Sequence, residues 1–577
     1  MKKILLFLKN QTCVIFLLMT GVSAFIFTGC NDDLLDIPTQ PGEQTDVTTY
    51  ESVEGMNHLL NQAYSAYAEY FASPSGGAHF PVGHIVFGSI RSDDAWAGGE
   101  FNEVSPRHEI NEYRLFSDNI VLKEIWNQCY LSIRYCNVVI DNAHFTIEKN
   151  PSSEPEISNF IAQAHVLRAL GYFMLARTFG DVPLLLKAGV IENVPRDPVE
   201  DVYKQAIKDL NNAISSGDLK SKQEIPDELQ GQVSIGTAYS FLAKTYMYLA
   251  SVDKANAMEH FQSAYNAAKT VISSGEFQLL NDYSELWKQE NKFTSESVFE
   301  IGYPNFGVQR LHHHWWATMF RPRYIYTLGS RDYQPIDGNR GWGFNTPTQD
   351  FVNAFEEGDP RLHWTVWMQG DSTTGLSSDG LKHEICFAAS RTGYYYRKTT
   401  IDQHFNSDKS FSNLKLYRYA DLLLIGAEAA NEIGETTDAL SWLNSVRERA
   451  RNTVAAYDHE DDKIDGVPAD VTTTDQAQLR DIIRNERRVE LGCEGERFFD
   501  LARWHGTHGY DIKQIIESAY KIPGPDYSLT TNVPAVFSES PRSGLDISFE
   551  LPKHLVAPIP KGEIELTNGV LVQNPGY

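Results

Sequence analysis

Cysteine is scarce in this chain. Six occur in 577 residues, at Cys13, Cys30, Cys129, Cys136, Cys386 and Cys493, with no CxxC pair and no zinc-like spacing. If Cys129 and Cys136 share a helix, they lie about 10.5 Å apart along it, too far for a disulfide. The four cysteines after Cys30 therefore read as small buried hydrophobes. Basic charge is also short: 50 Lys plus Arg face 76 Asp plus Glu, for a net charge of -26. Residues 1–29 contain three lysines and no acid, so the remainder carries 47 against 76, or -29. Such an acidic body argues against a nucleic-acid partner, whose affinity comes largely from basic contacts to phosphate. It fits an exported, soluble surface. GxSxG, HExxH, P-loop and GxGxxG motifs are all missing. Three adjacent histidines, His312, His313 and His314, cannot all face one ion in a regular element. The acidic segment 458–465 lacks the spacing of an EF-hand loop. No metal site, no cofactor and no catalytic residue is therefore assigned, and a structural calcium stays open.

What is present begins at the N-terminus. Lys2, Lys3 and Lys9 precede an apolar run from Cys13 to Phe27, interrupted by Thr20, Gly21 and Ser23. That run is short of the about 20 apolar residues that span a membrane, and reads as an export signal. It ends in Phe27-Thr28-Gly29-Cys30, which resembles a lipobox, with Phe27 where an aliphatic is usual. Cleavage before Cys30 would leave an acylated N-terminus. No second run of membrane length follows, so the body is expected to be anchored to a membrane and not threaded through it. Asn31-Asp32-Asp33 with Pro38, Pro41 and Gly42 reads as a polar tether.

The body is dominated by helical periodicity. Helices are predicted over 53–70, 120–141, 160–179, 201–214, 235–249, 257–272, 417–432 and 437–450. Alanine and aromatics at fixed offsets suggest tetratricopeptide-type hairpins, although no strict 34-residue repeat is visible. From Leu479 to Trp504, Leu479, Ile482, Ile483, Val489 and Cys493 recur at helical spacing, with Glu486 on the same face. A buried carboxylate needs a partner. Arg487, Arg488, Arg497 and Arg503 are the nearest forks for Glu486, Glu490, Glu494 or Asp500. This density of charge reads as bracing between helices, because nothing sets two carboxylates apart from neutralising arginines, as acid–base chemistry would require.

Several of these stretches carry a resemblance. Glu486-Arg487-Arg488, Glu490-Leu491, Glu494-Gly495, Arg497 and Asp500-Leu501-x-Arg503-Trp504 look like the C-terminal signature of the SusD/RagB family of surface lipoproteins. Trp126, Tyr130, Ile133 and Asn137 resemble a further family pattern. So do Arg168-Ala169-Leu170-x-Tyr172, Phe179-Gly180-Asp181-x-Pro183, Arg418-Tyr419-Ala420-Asp421 and the closing Gln573-Asn574-Pro575-Gly576-Tyr577. The resemblance implies a mainly α fold: a tetratricopeptide-like helical hairpin scaffold with an irregular, loop-rich subdomain. It implies capture of a glycan at the outer-membrane surface, without catalysis, and delivery to a SusC-like TonB-dependent transporter. A peptide-binding RagB-type importer subunit stays open as an alternative, as do a helical glycoside hydrolase and a purely structural interaction protein. The expected organisation is a lipoprotein signal at 1–29 and a lipid-anchored tether at 30–50. A helical part at 51–300, an aromatic-rich ligand-binding part at 301–410 and a C-terminal helical part at 411–577 follow.

Aromatic clustering supplies the candidate site. Helical periodicity fades between 303 and 410, where five of the ten tryptophans fall: Trp315, Trp316, Trp342, Trp364 and Trp367. Loops of this length are uncommon unless functional. Sugar rings present apolar C–H faces that stack on Trp and Tyr, while their hydroxyls need polar partners; rigid aromatics give that contact area at little entropic cost. The expected ligand-binding residues are Arg91, Trp96, Asn102, Trp315, Trp316, Tyr324, Tyr326 and Trp342. Trp96 is expected at the surface because Ala97, Gly98 and Gly99 follow it.

Overall fold

A computed structural model describes residues 47–68, 80–99, 106–189, 194–302, 320, 322, 325–327, 341–369, 371, 383–385, 387, 390–398, 413–456, 459–525 and 547–577. Helix dominates, as periodicity predicts. The long helices are α1 (Val53–Ala68), α2 (Phe80–Ile90), α3 (Ile120–Lys149), α4 (Glu154–Phe179), α5 (Val199–Ser216), α6 (Ile235–Val252) and α7 (Ala257–Ser274). The C-terminal set is α8 (Tyr419–Ile433), α9 (Thr436–Asn452), α10 (Gln476–Leu491), α11 (Arg497–Trp504) and α12 (Ile512–Ala519). Boundaries differ from expectation where local chemistry intervenes. Helix α3 starts at an Asn119 cap, whose side chain accepts from the Val121 N–H, and runs on to Lys149. Residues 414–418 form a strand before α8 begins at Tyr419.

Consecutive helices pack in order: α3 on α4, α4 on α5, α5 on α6, α6 on α7. The series then skips the irregular middle of the chain and continues α7 on α8, α8 on α9 and α8 on α10. This is how a stack of helical hairpins buries one continuous core. Its inner stripes are the apolar positions read from the sequence, such as Phe160, Ala164, Leu167 and Met174 on α4 and Ala264, Ala268 and Val271 on α7. Cys129, Cys136 and Cys493 are free and buried in it.

The family-like motifs tie helices together through polar groups that would otherwise be orphaned. Arg168 on α4 donates to both oxygens of Asp209 on α5, at 2.6 and 2.9 Å, and to Asn137 on α3 at 2.8 Å. Tyr130, Asn137 and Tyr172 donate to the carbonyls of Pro183 and Leu185 just past α4. At the other end of the sequence, Asn574 donates to the carbonyls of Phe179 and Ala557 at 2.8 and 2.7 Å.

Strands are few and short. β1 (Ala95–Gly98) pairs antiparallel with β3 (Phe344–Pro347), placing Trp96 opposite Thr346. β2 (Ser297–Ile301) pairs antiparallel with β4 (Leu414–Arg418), bringing the two sides of the irregular region together beside α6.

Candidate functional site

The charged stretch on α10 and α11 forms a buried lattice, but with a wiring that differs from expectation. Glu490 accepts from Arg449 at 2.5 Å, Arg418 at 3.0 Å and Arg361 at 3.1 Å. Glu486 takes Arg361 and Arg447 at 2.6 and 2.7 Å. Glu494 takes Arg418 and Lys398. None of these acids uses the neighbouring arginines proposed from sequence. Of those, Arg487 and Arg503 do meet Asp500, at 3.0 and 2.8 Å. Arg497 instead forms two 2.8 Å bonds to Asp93, and Arg488 reaches Asp94 and Asp350. The reason is helical geometry: a side chain on α10 points at whatever packs on that face, not at the next residue along.

The electrostatics follow from that wiring. Burial alone would raise the Glu490 carboxyl, but Arg449, Arg418 and Arg361 hold it down at about 2. Burial likewise opposes Asp500, and Arg487 and Arg503 hold it below the usual carboxylate range. Each of these signature acids is ionised and neutralised by arginine, which suits bracing and not proton transfer.

Against this lattice lies a small solvent-open cleft, lined by Ile85, Leu286, Trp287, Tyr396, Lys398 and Glu494 among others. Trp287 is half-buried, with Lys398 Nζ 5.0 Å and the Arg418 guanidinium 5.5 Å from its ring centre. Its indole Nε1 has no hydrogen-bond partner among the described residues. The cleft wall is apolar, and the part-exposed Lys288, Lys415 and Glu494 add charge, a composition that small polar ligands use.

The residues proposed from sequence separate. Trp96 is buried, at 7% exposure, with its ring 5.2 Å from Tyr520 and edge-on to it. The expected surface position is thus corrected: pairing of β1 with β3 turns this glycine-rich segment inward. Arg91 is fully buried and donates to the carbonyls of His554 and Val556. Its guanidinium lies 4.7 Å from the Phe87 ring centre and 4.5 Å from that of Phe498. Trp342 is half-buried and edge-on to Phe344 at 6.1 Å. Tyr326 lies in the strand Ile325–Thr327, paired with His383–Ile385. Cys30, Asn102, Trp315, Trp316, Tyr324, Cys386 and the three histidines 312–314 fall outside the described residues. Trp287 was not anticipated; the signal available was a tryptophan set among Glu285, Lys288 and Glu290, an apolar ring with no apolar run to bury it.

Comparison with known proteins gives the family. The model of the SusD family matches residues 295–577, and a second, described as starch-binding associating with outer membrane, matches residues 45–247. The chain belongs to the SusD family. SusD-like protein P2 of Formosa agariphila is 26% identical over 489 residues, 82% of this chain and 84% of that protein. A solved laminarin-binding SusD-like protein is 25% identical, covers 92% of this chain and all of its own, and superposes with a TM-score of 0.66. A SusD-like protein from Bacteroides fragilis shares the fold at a TM-score of 0.70 and 21% identity, over 92% of this chain and 98% of that one. The mainly helical, tetratricopeptide-like architecture is that of these SusD-like structures. Among the described residues, no helix of this SusD-family chain is long and apolar enough to cross a membrane.

Proposed function

We propose that this SusD-family chain captures a glycan at the outer-membrane surface and passes it to a SusC-like TonB-dependent transporter, without catalysis. The observation that carries the reading is the likeness, over 92% of the chain, to a SusD-like protein that binds laminarin. A β-glucan of that kind is accordingly the first ligand to test. Cys30 carries the acyl chains, residues 30–50 form the tether, and helical parts at 51–300 and 411–577 flank a ligand-binding part at 301–410. Asn102, Trp315, Trp316, Tyr324, Tyr326 and Trp342 remain the proposed contacts, because flat aromatics suit pyranose faces. Trp287 in the cleft is added to them. Arg91 and Trp96 are dropped, since their packing commits them to the interior.

Non-catalytic capture is supported by the bracing role of the signature acids Glu490 and Asp500, each held low by two or more arginines. The test is calorimetry on the full-length protein in detergent, against laminarin, other polysaccharides, oligosaccharides and peptides. The same samples are then chromatographed for products. Binding of laminarin without product, weakened roughly tenfold in Trp315→Ala, Trp342→Ala or Trp287→Ala, is the expected result and corresponds to about 1.4 kcal/mol for one aromatic contact. Binding of peptides alone would move the chain to peptide import. Appearance of shortened glycan would make it a hydrolase. Pull-down of a TonB-dependent barrel with the acylated protein tests the delivery step.

A further inference from the structure

A second site lies away from both the arginine lattice and the cleft, where the segment 361–371 meets the loop that follows α9. His363 sits in the short helix Arg361–Thr365, and His459 and Asp462 sit in the loop. One ligand atom from each of the three lies within 4.8 Å of the others. The two imidazoles are stacked at 3.6 Å, 14° from parallel, closer than the roughly 5 Å between rings that share a tetrahedral ion, so one ring must turn out of the stack when an ion enters. His363 Nε2 is 3.5 Å from Asp462 Oδ2, and His459 Nδ1 is 2.6 Å from the same oxygen. A tetrahedral ion bound at about 2.0–2.2 Å holds its ligand atoms roughly 3.3–3.6 Å apart, so the first separation already matches and the second opens by about 0.8 Å.

The surroundings are built to aim these groups. Asp371, buried, accepts from His459 Nε2 on the far side of the ring, which turns Nδ1 toward Asp462. A carboxylate behind a histidine is the arrangement that orients metal-binding imidazoles and raises their basicity. Asp371 is itself fixed, accepting from the Met368 N–H at 2.7 Å. His363 Nδ1 is buried without a hydrogen-bond partner among the described residues, so Nε2 at the cluster is the ring's polar engagement. The backbone is held too: Arg397 donates to the His363 carbonyl, and Lys463 Nζ to the Thr453 carbonyl, each within 2.8 Å.

We propose that His363 Nε2, His459 Nδ1 and the Asp462 carboxylate bind one divalent transition-metal ion of the zinc class, with Asp371 positioning His459. Imidazole with a single carboxylate selects such an ion over calcium, which prefers six to eight oxygens. The fourth position is left to water. The ion clips the irregular middle of the chain to the loop after α9, linking segments 88 residues apart at Asp371 and His459.

The test uses full-length protein in detergent, stripped with chelator and titrated with zinc chloride alone. Expected are one zinc per chain by calorimetry and a visible cobalt(II) band when cobalt replaces zinc. His363→Gln and Asp462→Asn should each weaken zinc at least tenfold, and Asp371→Asn by about 10–100-fold. His144→Gln, on exposed α3, should change nothing. Asp462 is solvent-exposed, so its variant keeps the metal-free melting temperature and separates loss of binding from loss of fold. Absence of stoichiometric zinc, or binding that survives both His363→Gln and Asp462→Asn, overturns the proposal.

Discussion

A single side chain shows how neighbours in space outweigh neighbours in sequence. Trp96 stands among small residues and looks exposed, yet its strand pairs with Phe344–Pro347 from 250 residues away and presses the ring onto Tyr520. Its truncation is a core deletion. Trp96→Ala should cost about 3–5 kcal/mol in chemical denaturation while leaving glycan affinity unchanged. Lost affinity at unchanged stability would return Trp96 to the ligand. Glu486 is the opposite case. Its helical phase announces burial and its charge announces an arginine, but phase cannot name Arg361 and Arg447 as the donors, since they come from distant segments.

At the scale of elements, the helices were legible because periodicity is a local property, and their bounds move only where a cap or a strand intervenes. The irregular elements were not legible, because short strands such as Leu414–Arg418 exist only through their pairing. In the turn between α10 and α11, Gly492 and Gly495 lie where the chain packs closely. A Cβ on Gly492 would lie 2.0 Å from the Phe351 ring, and Gly495 adopts φ 96° with its carbonyl against Gly88 on α2. Gly492→Ala should therefore lower stability by about 1–3 kcal/mol through overpacking, read as a reduced denaturation midpoint. A neutral substitution would mean that Phe351 can swing aside. The histidine–aspartate cluster escaped sequence reading for a related reason. The segment 458–465 was noticed as acidic, but His363 and Asp371 reach it only through the fold.

For the whole molecule, the arginine lattice predicts how stability follows pH. The Glu490 carboxyl falls from its ordinary 4.5 to about 2, after burial is overcome by Arg449, Arg418 and Arg361. Asp500, Glu428 and Asp209 are also lowered, against the opposing effect of burial, by Arg487, Arg503 and, for Asp209, His165 and Arg168. A lowered acid lends stability that is fully present above its unfolded value and disappears as pH falls toward its folded one. Unfolding free energy should hold above about pH 4.5 and drop steadily toward pH 2. Asp94 runs the other way: burial pushes it up to about 6, so the stability it lends is full below about pH 3.8 and is lost as pH rises toward 6, partly offsetting the gain from the lowered acids there. A flat stability between pH 5 and 3 would contradict this wiring. The net charge of -26 adds solubility at neutral pH.

The burial of Arg91 beneath the carbonyls of His554 and Val556 joins residues separated by 463 and 465 positions. Asn574 likewise closes over Phe179. A chain synthesised from its N-terminus leaves Arg91, and the helix end at Phe179, without these partners until its final segment emerges. Closure of the N-terminal half therefore waits on residues 554–574, and truncation before them should leave that half more sensitive to proteolysis.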